Sequence, residues 1–139
     1  MLPCPAMRTL LVACLLLGCG PSRPAPVLKK PNDELILGDF TRRGPDGTAA
    51  IRFTGDHAYR VVKDKTMFDR EPPVGTGTWK LEGDRLVLTA QKGMCTDGRA
   101  EREATYQVVI SKIGIRFTKV GDDCSRRATM DGQTWWRIQ

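Results

Sequence analysis

Five cysteines and one histidine are the residues of this 139-residue chain best suited to covalent or metal chemistry: Cys4, Cys14, Cys19, Cys95, Cys124 and His57. A thiol can act as nucleophile, redox partner, metal ligand or half of a disulfide, and each role needs particular company. No Cys-x-x-Cys pair and no zinc-type Cys/His spacing occurs. A Ser-His-Asp arrangement would have to use His57, beside Asp56, and no nucleophile motif accompanies it. His57 therefore reads as a surface side chain. Asp122 and Asp123 together invite a calcium reading, but the spaced oxygen ligands of such a loop are missing. Both read as solvated loop residues. Nor is there a glycine-rich phosphate loop. The expectation is no enzyme, no catalytic residue, no cofactor and no metal site.

The first three cysteines belong to an N-terminal stretch of a different character. Arg8 precedes the apolar run Leu10 to Leu17, and Leu16-Leu17-Gly18-Cys19 ends it. A short positive region, a short apolar core and small residues at its end are the pattern of an export signal, and the run is too short to span a bilayer. The ending resembles the lipobox of bacterial lipoproteins. That resemblance implies a signal peptide over residues 1–18, diacylglycerol on the Cys19 thiol, cleavage before it and acylation (palmitate or similar) of the new amino group. Leu11-Val12-Ala13-Cys14 is a rival lipobox, disfavoured because only about five apolar residues follow Arg8. Pro3 and Pro5 sit awkwardly in a leader, leaving Met1 and Met7 both open as the start. Acylation by more than one chain gives firm anchoring. The absence of Asp after Cys19 resembles lipoproteins sorted to the outer membrane, so the expected location is the cell envelope, facing the periplasm.

Residues 19–33 contain Pro21, Pro24, Pro26 and Pro31 and read as an extended tether, able at ~3.1 Å per residue to hold a domain up to about 40 Å from a bilayer. Residues 34–139 then make one domain, of the usual single-domain size. Loss of Arg8 takes the formal net charge from +6 to +5. Basic and acidic residues are interspersed, as in Lys63-Asp64-Lys65 and Asp69-Arg70-Glu71, which predicts a solvated surface and no nucleic-acid partner.

Something must position Cys95 and Cys124, and alternation supplies it. Ile51 and Phe53, Tyr59 and Val61, Trp79 and Leu81, Leu86 and Leu88, Tyr106, Val108 and Ile110, and Ile115 and Phe117 each share a strand face. Gly47, Gly55-Asp56, Gly83-Asp84, Gly114 and Asp131-Gly132 punctuate them as turns. The pattern predicts an all-β fold of about eight strands, near 37–42, 48–54, 57–63, 77–82, 85–91, 105–112, 115–120 and 134–138, in an antiparallel meander. No helical stripe appears. Longer connections over 64–74 and 92–103 are expected at the surface. Eight short strands can close into a barrel or split into a two-sheet sandwich, and alternation does not choose. Nor does it say which of Trp135 and Trp136 faces inward; Arg137 shares a face with Trp135 and could lie over another aromatic.

Processing at Cys19 would leave Cys95 and Cys124 as the thiols of an exported domain, where oxidising conditions favour a disulfide. Such a bridge would contribute on the order of 3 kcal/mol. The stretch Gly77-Thr78-Trp79, then Gly83-Asp84, Leu86, Leu88 and Thr89, resembles a hairpin of small lipocalin-like (calycin-like) bacterial envelope proteins. Tyr106, then Asp122 with Cys124 and Arg127, and then Trp135 with Arg137, are similar to the end of the same proteins, although Asp123 stands where they often carry proline and Trp136 is an added tryptophan. The resemblance covers about residues 75–138. It implies a lipocalin-like barrel and, at most, a ligand-holding interior; Trp79, Tyr106 and Phe117 read as core packing, with a ligand-contacting lining as the alternative. Two functions fit: a non-catalytic structural or protein-interaction domain touching an unknown envelope protein, or a binding module for a small, partly apolar ligand.

Overall fold

The computed structural model describes residues 30–139. Cys4, Cys14, Cys19, the leader and most of the tether lie outside them. The chain opens with α1 (Asn32–Leu35) and continues through β1 (Gly38–Gly44), β2 (Gly47–Phe53), β3 (Ala58–Val62), β4 (Gly75–Glu82) and β5 (Arg85–Gly93). After α2 (Arg99–Arg102) come β6 (Glu103–Ile110), β7 (Gly114–Gly121), a 3-10 helix (Ser125–Met130) and β8 (Thr134–Arg137). Asn32 and Asp33, assigned to the tether by composition, belong to α1.

Each strand pairs antiparallel with the next, and β8 returns to β1 through Phe40 opposite Arg137 and Thr41 opposite Trp136. The result is a closed eight-stranded meander barrel rather than a sandwich. Closure leaves no sheet edge for another chain to extend. The register follows the period of two: on β6, Ala104, Tyr106, Val108 and Ile110 are buried while Gln107 and Val109 face out. On β8, Trp135 points inward at 2% exposure and Trp136 outward at 54%.

Side chains fill most of the interior. Phe40, Phe53 and Trp79 meet edge to face at 6.1 and 6.2 Å, and Tyr106, Phe117 and Trp135 form a second such chain at 5.8 and 6.1 Å. Edge-to-face pairs add roughly 0.5–1.5 kcal/mol each beyond burial. Gly77 is required by this packing. A Cβ there would lie 2.1 Å from the Thr89 carbonyl oxygen and 2.7 Å from the Tyr59 ring, at a bulge between Thr76 and Gly77.

One end of the barrel is plugged. Leu35 and Ile36 insert into the core, and Asn32 Nδ2 donates to the Gly83 carbonyl 2.9 Å away in the β4–β5 turn. Arg137 fastens this plug by donating to the carbonyls of Leu35, Leu37, Ser111 and Lys112. Its guanidinium lies 4.6 Å from the centre of the Phe40 ring, so it does lie over another barrel aromatic.

The long connections depart from the expectation of surface loops. Phe68 folds back from 63–74 to bury itself against Ala50 and Val62 on the barrel's outer face, and the Arg52 guanidinium stacks on it at 4.3 Å. Arg52 is held there by a two-pronged ion pair with Asp39 at 2.7 and 2.9 Å. Cys95, in the 94–102 connection, is also buried. The three short helices, absent from the sequence expectation, sit at the plug, in the 94–102 connection and between β7 and β8. Among the described residues, no helix is long and apolar enough to cross a membrane.

Candidate functional site

The end opposite the plug carries the chemistry. There the β1–β2 turn, the 63–74 and 94–102 connections and the 122–133 segment surround the barrel mouth, and the Cys95–Cys124 disulfide, with a Cα separation of 5.6 Å, ties two of these segments together.

Beside the disulfide lies a buried ion pair. Arg127, on the 3-10 helix, donates from Nε and Nη2 to the two Asp122 carboxylate oxygens at 3.0 Å, and from Nη2 also to the Glu101 carbonyl. Asp122 accepts in addition from the Cys124 backbone N–H at 2.9 Å and from the Tyr106 hydroxyl. The two charged side chains are 1% and 2% exposed. Asp122 is thus no solvated loop residue: it is buried, because Arg127 supplies the opposite charge in a two-pronged geometry and its remaining lone pairs are filled. Asp123 remains exposed.

This environment acts on both tyrosines of the chain. Burial, the hydrogen bond to Asp122 and its negative charge push the Tyr106 phenol well above its ordinary range. Burial does the same to Tyr59, against the opposing influence of nearby Arg127. The unfolded chain sheds both phenolic protons near pH ~10 and the folded chain holds them to higher pH, Tyr106 most strongly, so stability is full below that pH and falls above it. Spectrophotometric titration is expected to show no tyrosinate absorbance through pH ~10 while the circular dichroism stays native. Tyrosinate appearing in the native protein at that pH would contradict the buried network.

Among the described residues, four buried side-chain donors have no acceptor within the protein: Arg42 Nε, Arg60 Nε, Arg127 Nη1 and Trp135 Nε1. Three of the four, all but that of Arg60, belong to residues that line one cavity of about 270 Å³ in the barrel mouth. Arg42 occupies the inward register two residues after Phe40, where the strand pattern would place an apolar side chain. Its guanidinium lies 5.6 Å from the Trp135 ring centre and reaches outward to the exposed Asp46 at 3.3 and 3.5 Å. That hydrogen bond holds the Asp46 carboxyl below its ordinary range. Ala49, Val61, Val74, Met94 and Met130 supply apolar wall, and Lys63 and Arg126 add positive charge at the rim.

The candidate lining residues lie elsewhere. Trp79 packs toward the plugged end, with Nε1 donating to the Thr54 carbonyl at 3.1 Å and its ring against His57 at 4.5 Å. Phe117 is enclosed between Tyr106 and Trp135, and Tyr106 spends its hydroxyl on Asp122. None of the three lines the mouth cavity. His57 is exposed in the β2–β3 turn, and no group of three His, Cys, Asp or Glu side chains suited to a metal occurs among the described residues. Sequence reasoning missed Arg42 altogether and gave Arg127 no role. The available signal was an arginine on an inward-facing register.

The architecture defines a class, a small, closed, eight-stranded antiparallel meander barrel plugged at one end. No protein-family model, curated protein or solved structure matches the chain.

Proposed function

We propose that this chain is a lipid-anchored protein of the bacterial envelope, acylated at Cys19, whose lipocalin-like barrel is a non-catalytic binding module for a small, partly apolar molecule held at the open mouth. The observation that carries the reading is that three residues with unpaired, buried donors line one cavity whose wall combines apolar side chains with Thr48, Thr129, Lys63, Arg126 and one carboxylate, Asp46. A buried donor without an acceptor costs about 1–3 kcal/mol, a penalty that a bound acceptor removes. The anchor rests on the lipobox resemblance. It suits the fold, because the described chain begins at the plugged end, opposite the mouth.

A second reading, contact with another envelope protein, is favoured by the exposed Val109, Ile113 and Trp136, of which Ile113 adjoins the Gly114–Trp136 pair. Native mass spectrometry of the mature protein incubated with envelope extract separates the two. A bound small molecule supports the binding module. A bound protein with no small mass supports the second reading and removes the first. The same spectrum gives the mass of the N-terminus, where an unmodified Cys19 would end the lipoprotein reading.

A further inference from the structure

Resting on the binding-module reading, we infer that the mouth cavity is an anion site, taking a small organic acid, carboxylate or phosphate monoester, with a short apolar tail. The three orphaned groups are all donors, and none of them can accept: an arginine Nε, an arginine Nη1 and an indole N–H. A ligand that satisfies them must present acceptor oxygens, and two of the three donors carry full positive charge. Asp122 offsets one of those charges from the far side of Arg127, whose Nε and Nη2 face it while Nη1 is left over. Arg42 is offset only by exposed Asp46 at 3.3 Å or more, a loose contact that an incoming acid can replace. Lys63 and Arg126 at the rim add to the attraction.

Size and wall chemistry fix the rest of the ligand. About 270 Å³ falls just under the ~300–1,000 Å³ of sites for drug-sized molecules, so the occupant is of fragment size. Met94, Met130, Val61 and Val74 face it with no polar group, and the two methionines can adapt to a flexible chain. The acid lies against Arg42, Arg127 and Trp135, and the tail against the methionines.

The test uses the mature protein in lipid nanodiscs and the Trp135 indole N–H resonance, which reports the site directly and is distinct from Trp79, already bonded to Thr54. Hexanoate, hexyl phosphate and hexanol are titrated in parallel. One of the acids is expected to move the Trp135 resonance saturably, and the stronger of the two identifies the acid group. Charge-assisted bonds make the acid about ten- to a hundredfold tighter than the alcohol. Arg42→Met should remove that advantage while leaving the fold intact, because its only ion-pair partner is exposed. Trp135→Phe, which keeps an aromatic ring but deletes the donor and with it the reporter resonance, should weaken the acid alone when binding is followed by isothermal titration calorimetry. Equal binding of hexanol and the acids would overturn the anion site yet leave the binding module standing. No saturable shift with either acid would also overturn it, whatever the envelope extract shows.

Discussion

Arg127→Met is expected to lower the unfolding free energy by about 3–5 kcal/mol, the cost of leaving one partner of a buried pair without the other. Asp122 would then sit 2% exposed, with only the Tyr106 hydroxyl and the Cys124 N–H to support its charge. Asp122→Asn should cost a similar amount from the other side, by stranding the Arg127 guanidinium. The double variant, with neither charge left inside, should lose clearly less than the sum of the two. Urea denaturation of the four proteins gives all three differences. A loss below about 1 kcal/mol in the single variants, the range of solvent-exposed pairs, would show that water reaches Asp122. Arg127 also lines the mouth cavity, so the ion pair that stabilises the fold also positions a residue of the candidate site.

The barrel's strands were legible because their information is local. Ala104, Tyr106, Val108 and Ile110 state their common face within seven residues, and the glycines that end each run need no distant partner to be read. Closure is not local. It depends on Phe40 meeting Arg137 and Thr41 meeting Trp136 across nearly the whole domain, and a sandwich would show the same alternation. The four-residue helices α1 and α2 are about one turn each, too short to display a 3.6-residue period.

The polar site was hidden for a different reason. Charged residues are almost always exposed, so Asp122, Arg127 and Arg42 were assigned to the surface or passed over. Their burial is decided by partners from other strands and loops: Tyr106 on β6 for Asp122, the Glu101 carbonyl for Arg127, the Trp135 face for Arg42. The spacing of Asp122, Cys124 and Arg127 was visible as a resemblance, but without a structure nothing connected the carboxylate to the guanidinium. For Trp79, Tyr106 and Phe117 alternation left core packing and cavity lining both open. Aromatics on an inward face look alike whether they line a cavity or fill one, and here they fill it, leaving the open space at the mouth to the residues around Arg42.

Cys95→Ala with Cys124→Ala is expected to lower stability by roughly 3–4 kcal/mol, the chain-entropy value for a loop closed across a separation of 29 residues. The effect should be concentrated at the mouth. The bridge joins the segment after β5, where Cys95 holds a left-handed backbone at φ 67°, to the start of the 3-10 helix that carries Arg127. Met94, next to Cys95, lines the cavity, and so do Arg126, Arg127 and Met130. Without the bond, the Arg127 hydrogen bond to the Glu101 carbonyl is left to tie the two walls together, with Arg127 itself held by Asp122. Hydrogen exchange is therefore expected to speed up across 93–102 and 122–133 before the barrel strands respond, and the affinity of the mouth for an acid should fall in the reduced protein. Uniform acceleration over all eight strands would mean that the bridge supports the barrel as a whole. An unchanged denaturation midpoint after reduction would mean that the Arg127 contact with Glu101 suffices to hold the mouth together.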